Sequence, residues 1–287
     1  MMKEIIISDV LGKLDSIIPY GLNLAKKLQV EVDVIHSIDS RSQQGVHSPY
    51  ADSQTITPGS KLSHEEIIER EKNMTELALN RLLSREASRL NYPLKINTVV
   101  EENTILKSIQ KSTRDWGKSI ALINSQPDNY IFNSHNEILE TINNIQSLVL
   151  FVPPGLNFKK IEKILLLSDF STNDTITKLV DISLFLKKFD CSIDAVSVAK
   201  PQEYANHELM GKAWLQSVRK TVFPTSTVVT NVLTGNDYFN TLKEFLERST
   251  HDLILFNFSG SGSFNGNLRK KLIKNLTSET KLPVLII

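Results

Sequence analysis

A repeat running through the whole chain constrains this sequence more than any other feature. Lys3-Glu-Ile-Ile-Ile-Ser-Asp9 is echoed by Glu162-Lys-Ile-Leu-Leu-Leu-Ser-Asp169, each an apolar run closed by Ser-Asp. Leu24-Ala-Lys-Lys-Leu-Gln-Val-Glu-Val-Asp-Val-Ile35 aligns with Phe185-Leu-Lys-Lys-Phe-Asp-Cys-Ser-Ile-Asp-Ala-Val196, a Lys-Lys helix end followed by an alternating strand. Further on, Lys118 to Asn124 matches His251 to Asn257, and Leu148 to Phe151 matches Val284 to Ile287. Four segments recurring in one order describe a duplicated fold.

Within each half, short apolar strands alternate with amphipathic helices, the pattern of βαβ units on a parallel sheet covered on both faces. Strands are expected near 3–8, 30–36, 95–100, 119–124 and 147–152, and again near 162–168, 191–198, 227–233, 252–257 and 283–287. Helical periodicity marks 13–28 and 64–90. Glu65, Glu66 and Glu69 load the start of the second of these, where the helix dipole favours anions. Val152-Pro-Pro-Gly-Leu-Asn157 stops pairing and turns the chain, so two α/β domains are expected, 1–154 and 155–287. Ser37 to Ser63 is polar and without period. A connection of that length is expected to be a mobile insertion rather than an ordered lid.

Charge and cysteine content exclude several classes. Lys+Arg number 33 and Asp+Glu 32 among 287 residues, a net charge of +1, so no global field favours nucleic acid or an anionic membrane. Cys191 is the sole cysteine and cannot form an internal disulfide, and the first residues lack the apolar run of a signal peptide. No apolar stretch reaches the roughly 18 to 20 residues that span a bilayer. The expectation is a cytoplasmic protein with no membrane or nucleic-acid partner.

The order of these elements and the residues at their ends resemble the universal stress protein family in tandem form. The carriers are the Ser-Asp closing the first strand of each half, the Lys-Lys helix end with its alternating strand, and Asp252-Leu-Ile-Leu-Phe-Asn257 entering a glycine-serine loop. A proline then opens the last strand, Leu282-Pro-Val-Leu-Ile-Ile287. The resemblance implies two doubly wound parallel-sheet domains, adenine nucleotide alpha hydrolase-like, related by a pseudo-two-fold, with the two final strands facing each other. It implies a pseudo-dimer within one chain, and a homodimer as a further pairing.

Nucleotide-binding members of that family carry a glycine, two residues, a second glycine, nine residues, then a glycine followed by Ser or Thr. Such glycines let the backbone approach phosphates and open a helix whose free N–H groups hold an anion. On the second half the motif falls on Asn257, Gly260 and Lys270-Lys271, so one glycine of three remains. On the first half Asn124 and Pro127 occupy the first two positions, and Ser134-His-Asn-Glu137 reads instead as a capping box. The family's other nucleotide contacts, an aspartate after the first strand and an apolar residue ending the second, map to Asp9 and Ser37 in the first half and to Asp169 and Val198 in the second. Either aspartate also suits a helix N-cap. The leading expectation is therefore a non-enzymatic stress-response module without cofactor, acting through an unidentified protein partner or a small ligand. The alternative is an ATP or AMP regulator, with or without Mg²⁺, using only the second half. Asp169, Val198, Asn257, Gly260, Ser261 and Gly262 would form its site.

Other motifs are absent or broken. Gly260-Ser-Gly262 has Asn265 where a dinucleotide fingerprint needs glycine, and it follows a late strand. No phosphate-binding P-loop and no Gly-x-Ser-x-Gly elbow occurs. The six histidines show no metal-ligand spacing, since Ile68 stands where His64-Glu65 would need a second histidine. Cys191, Trp116 and Trp214 read as packing residues. Arg269, Lys270, Lys271 and Lys274 form a basic cluster after the glycine-serine loop, read as a solvated helix face or, alternatively, as charges that replace the lost glycines and draw an anionic group to the loop. No carboxylate, histidine and nucleophile constellation is visible along the chain.

Overall fold

The computed structural model of the protein describes residues 2–8, 17–38, 63–113, 119–125, 142–145, 147–170, 173–222, 227–257 and 266–287. Each of the ten expected strands is present, and the chain divides into two compact units.

The first unit comprises Met2–Ser147 with Pro154–Phe158. Its elements are β1 (Glu4–Ser8), α1 (Ile18–Leu28), β2 (Glu31–Ile38), α2 (His64–Leu90), β3 (Ile96–Glu102), α3 (Ile105–Ser112) and β4 (Ser119–Asn124). The strands lie in the order β3-β2-β1-β4 and are parallel throughout. Ile5, Ile6 and Ile7 of β1 are all fully buried, as a strand covered on both faces requires. Helix α1 has a proline in its first turn and Lys26 and Lys27 in its last, and it ends on Gln29 in the left-handed conformation. The start of α2 is fixed by more than the acidic residues read from the sequence. Ser63 and Glu66 form a reciprocal capping box, with Ser63 N–H donating to Glu66 Oε2 at 2.8 Å and Glu66 N–H donating to Ser63 Oγ at 3.2 Å.

Two element boundaries differ from the sequence reading. Helix α1, expected from residue 13, begins at Ile18 with Ile17 as its N-cap, and residues 13–16 lie outside the described residues. Ser37 and Ile38, expected to open the polar insertion, continue β2, because Ile38 is buried against Ile68 of α2 and Val100 of β3. Residues 39–62 lie outside the described residues.

The second unit comprises Leu148–Pro153 with Lys159–Ile287. It contains β5 (Leu148–Val152), β6 (Lys163–Leu167), α4 (Asn173–Asp181), α5 (Ser183–Leu186), β7 (Ser192–Ala199), a 3-10 turn at Pro201–Glu203, α6 (Tyr204–Thr221), β8 (Val228–Thr234), α7 (Tyr238–Glu247), β9 (Leu253–Phe256), α8 (Gly266–Glu279) and β10 (Val284–Ile286). The strand order is β5-β10-β9-β6-β7-β8. All pairings in it are parallel except β5 with β10, which is antiparallel and brings Val149, Leu150 and Phe151 against Ile286, Leu285 and Val284. The two final strands of the repeat therefore face each other as expected. The consequence for the division of the chain is that β5, drawn from the first repeat, is packed into the second unit, which begins at Leu148 where the sequence reading has residue 155, while Pro154–Phe158 goes with the first.

Candidate functional site

In the second unit the chain winds β6, β7, β8 to one side and then crosses to β9 and β10 on the other. The chain reverses direction between β6 and β9, and the carboxyl ends of the strands at such a switch point are where doubly wound sheets hold ligands. Leu167 of β6 is in register with Phe256 of β9, so the residues that follow, Ser168-Asp169 and Asn257, emerge side by side. Val198 is the penultimate residue of the neighbouring β7, which runs one residue past the expected end; it is half-buried and paired with Leu233.

Asp169 is buried, with 5% of its surface exposed. Ser168 shapes the turn that holds it: its backbone N–H donates to Val196 O at 3.0 Å, and its hydroxyl accepts from Phe170 N–H at 3.1 Å. Phe170 is left-handed, with φ at 59°, an uncommon conformation for an aromatic residue that costs about 1–3 kcal/mol. Packing holds it there. Its ring lies 5.5 Å from that of Trp214, and Gly211 leaves it room, since a Cβ at Gly211 would come within 3.2 Å of the Phe170 ring.

Further side chains in this region come from positions the sequence reading passed over. The Tyr238 hydroxyl, at the start of α7, is buried, and burial first and the Asp169 carboxylate second raise its pKa well above the ordinary phenol value. Ser197 of β7 is buried and its Oγ lies 2.9 Å from His207 Nδ1 of α6. Asn257 is buried and its Nδ2 donates to Thr175 Oγ1 of α4 at 3.3 Å. The position at which the family motif has its first glycine is thus filled by a side chain tied to the opening turn of a neighbouring helix. In α8, Lys270 and Lys271 stand where the motif closes; both are exposed, and Lys271 Nζ sits 5.3 Å over the Phe239 ring.

The structure therefore brings Asp169 and Asn257 together, with Val198 on the adjoining strand. Gly260, Ser261 and Gly262 lie outside the described residues, as do Asp9, Pro127 and the Ser134–Glu137 capping box. In the first unit Ser37 donates to Ser108 Oγ at 2.8 Å, and Ser108 is buried in α3, so the second-strand position is used for packing a helix. Among the described residues no group of three or more His, Cys, Asp or Glu side chains could hold a metal ion, and no helix is long and apolar enough to cross a membrane. Nothing in their sequence period distinguishes Tyr238, Ser197 or Thr175 from ordinary strand-end and helix-start residues; only the strand order gathers them.

The fold is an α/β module of the doubly wound kind with a topological switch point in its second unit. Compared with solved structures, the chain has the universal stress protein fold in tandem form. A universal stress protein from Archaeoglobus fulgidus superposes with a TM-score of 0.64 over 99% of this chain and 97% of its own, at 14% identity. A putative universal stress protein from Pseudomonas aeruginosa superposes at 0.59 over 100% and 93%, at 11% identity. A functionally unknown protein from Pseudomonas aeruginosa PAO1 superposes at 0.58 over 100% and 92%, at 12% identity. No family model matches the sequence. No curated protein matches it either.

Proposed function

We propose that this chain is a stress-response module whose second-unit switch point is non-catalytic and recognises a small ligand or a protein partner without the glycine-loop mode of ATP binding. The observation that carries the reading is the Asn257–Thr175 contact. Where a glycine would leave the backbone open to a phosphate, a buried amide occupies the space and secures it to α4. The closing lysines support the same reading. A Gly-Ser pair is small and offers a hydroxyl, whereas the longer Lys271 side chain rests on Phe239. The second reading, an ATP or AMP regulator, draws on Asp169, which stays buried at the switch point with the Tyr238 phenol close enough to sense its charge.

Isothermal titration of the full chain with ATP and Mg²⁺ separates the two. The expected result is no heat of binding at micromolar nucleotide. Micromolar affinity that disappears in Asp169→Ala would overturn the proposal and establish the second reading.

A further inference from the structure

A cavity in the same unit is lined by none of the switch-point residues Asp169, Val198 and Asn257. It has a volume of about 350 Å³ and lies between α7, the turn that follows it, and the strands β7 and β8. Three of its lining residues form a continuous hydrogen-bonded chain. His251, 8% exposed, places Nε2 at 3.0 Å from Asp194 Oδ2 and Nδ1 at 2.5 Å from Ser249 Oγ. One tautomer satisfies both: Nε2–H donates to the carboxylate, which leaves Nδ1 to accept from the serine hydroxyl. The backbone N–H of His251 also donates to Ser249 Oγ at 3.3 Å, which fixes the serine oxygen beside the ring. The Phe245 ring lies 6.1 Å from the imidazole and shields it.

A local turn accounts for the contact between the His251 N–H and Ser249. It does not account for a carboxylate on the far ring nitrogen, contributed by a strand 57 residues away in sequence, or for all three groups opening on one cavity. A nucleophile bonded to a base, and a base oriented by a third group, is the arrangement that activates a serine. We propose that Ser249, His251 and Asp194 cleave small acyl esters in this cavity. Ser249 Oγ bonds to the acyl carbon as its proton passes to His251 Nδ1. The ester C–O bond breaks, and the departing alkoxide takes that proton and leaves as the alcohol. Water then gives a proton to His251 and attacks the acyl carbon, the acid is released, and the proton returns to Ser249. Asp194 is a positioning residue that holds the imidazole and stabilises it when charged. Arg248 and Asn231 line the same cavity and bring side-chain N–H donors to it. The volume is at the low end for ligand pockets and suits a short acyl group on a small alcohol.

The test is hydrolysis of p-nitrophenyl acetate by the full chain, paired with mass mapping after treatment with a fluorophosphonate. Saturable turnover is expected, falling by about 100-fold or more in Ser249→Ala. In Asp194→Asn kcat should fall with KM unchanged, and Asp194→Glu should recover part of it. The fluorophosphonate adduct should map to Ser249. No turnover by the wild type, an equal rate in Ser249→Ala, or an adduct on another residue or on none would each overturn the proposal. If Ser249→Ala fails to fold, judged by circular dichroism, the adduct map on the wild type decides alone.

Discussion

At the scale of single residues, position along a strand was readable and partnership across the sheet was not. Asp169 and Asn257 can be placed at adjacent strand ends because each closes an apolar run, and the register of β6 with β9 confirms their adjacency. Tyr238 and Thr175 could not be found that way, because each owes its place to a helix that returns from elsewhere in the chain. The His251–Asp194 pair is hidden for the same reason. Cys191 shows how burial decides chemistry at one atom. Half-buried before β7, with Sγ at 4.0 Å from Leu186 O, its thiol is pushed from its ordinary value of 9.0 up to about 11, with desolvation the main cause. The fold thus favours the protonated thiol. That contribution to stability is present below pH 9 and is lost as the pH rises through about 11. The thiolate fraction at neutral pH falls accordingly, so alkylation of the native chain by iodoacetamide at pH 7.5 should run at least about 10-fold slower than in urea. Equal rates in the two conditions, followed by intact mass, would show that burial does not protect this sulfur.

Elements were legible where local chemistry and tertiary packing agree. Helix α2 was read over its full span, His64–Leu90, because an acidic first turn and a sustained apolar period coincide there. Strand β2 was cut two residues short because Ser37-Ile38 looks like the start of a polar segment; only the contact of Ile38 with Ile68 and Val100 shows why it stays in the sheet. Helix α1 illustrates a constraint with no signal in periodicity. A Cβ at Gly21 would fall on Ile7 Cδ1, 2.8 Å from Ile7 Cγ1 and 3.1 Å from Leu122 Cδ2, and both partners are fully buried. Glycine is there to let the helix backbone lie directly on β1 and β4. In an exposed helix Gly→Ala stabilises by up to about 1 kcal/mol through propensity. Here the close approach should win, and Gly21→Ala should destabilise the protein by about 1–3 kcal/mol as the overpacked isoleucine shifts. A urea midpoint at or above the wild-type value would mean that Ile7 can move aside at no cost.

For the molecule as a whole, the duplicated order of elements was legible and the ownership of β5 was not. Two prolines and a glycine after Val152 mark a turn, and a turn is where a sequence reading divides a chain. The physical boundary instead follows hydrogen bonds. Strand β5 is buried along its whole length and pairs with β10, whose residues are equally buried, so it completes the second unit's sheet on that side. Removing it would expose the backbone edge of an apolar strand, which templates association with other chains. A fragment of residues 148–287 should therefore be better behaved than one of residues 155–287. By size-exclusion chromatography and circular dichroism, the longer fragment should show more α/β structure and less aggregate than the shorter at the same concentration. A shorter fragment as monodisperse and as thermally stable as the longer would show that β10 tolerates a bare edge and that the turn at Pro153-Pro154 is the true boundary. The comparison isolates β5 because the two fragments differ by that strand and the turn after it, while β6 through β10 are common to both.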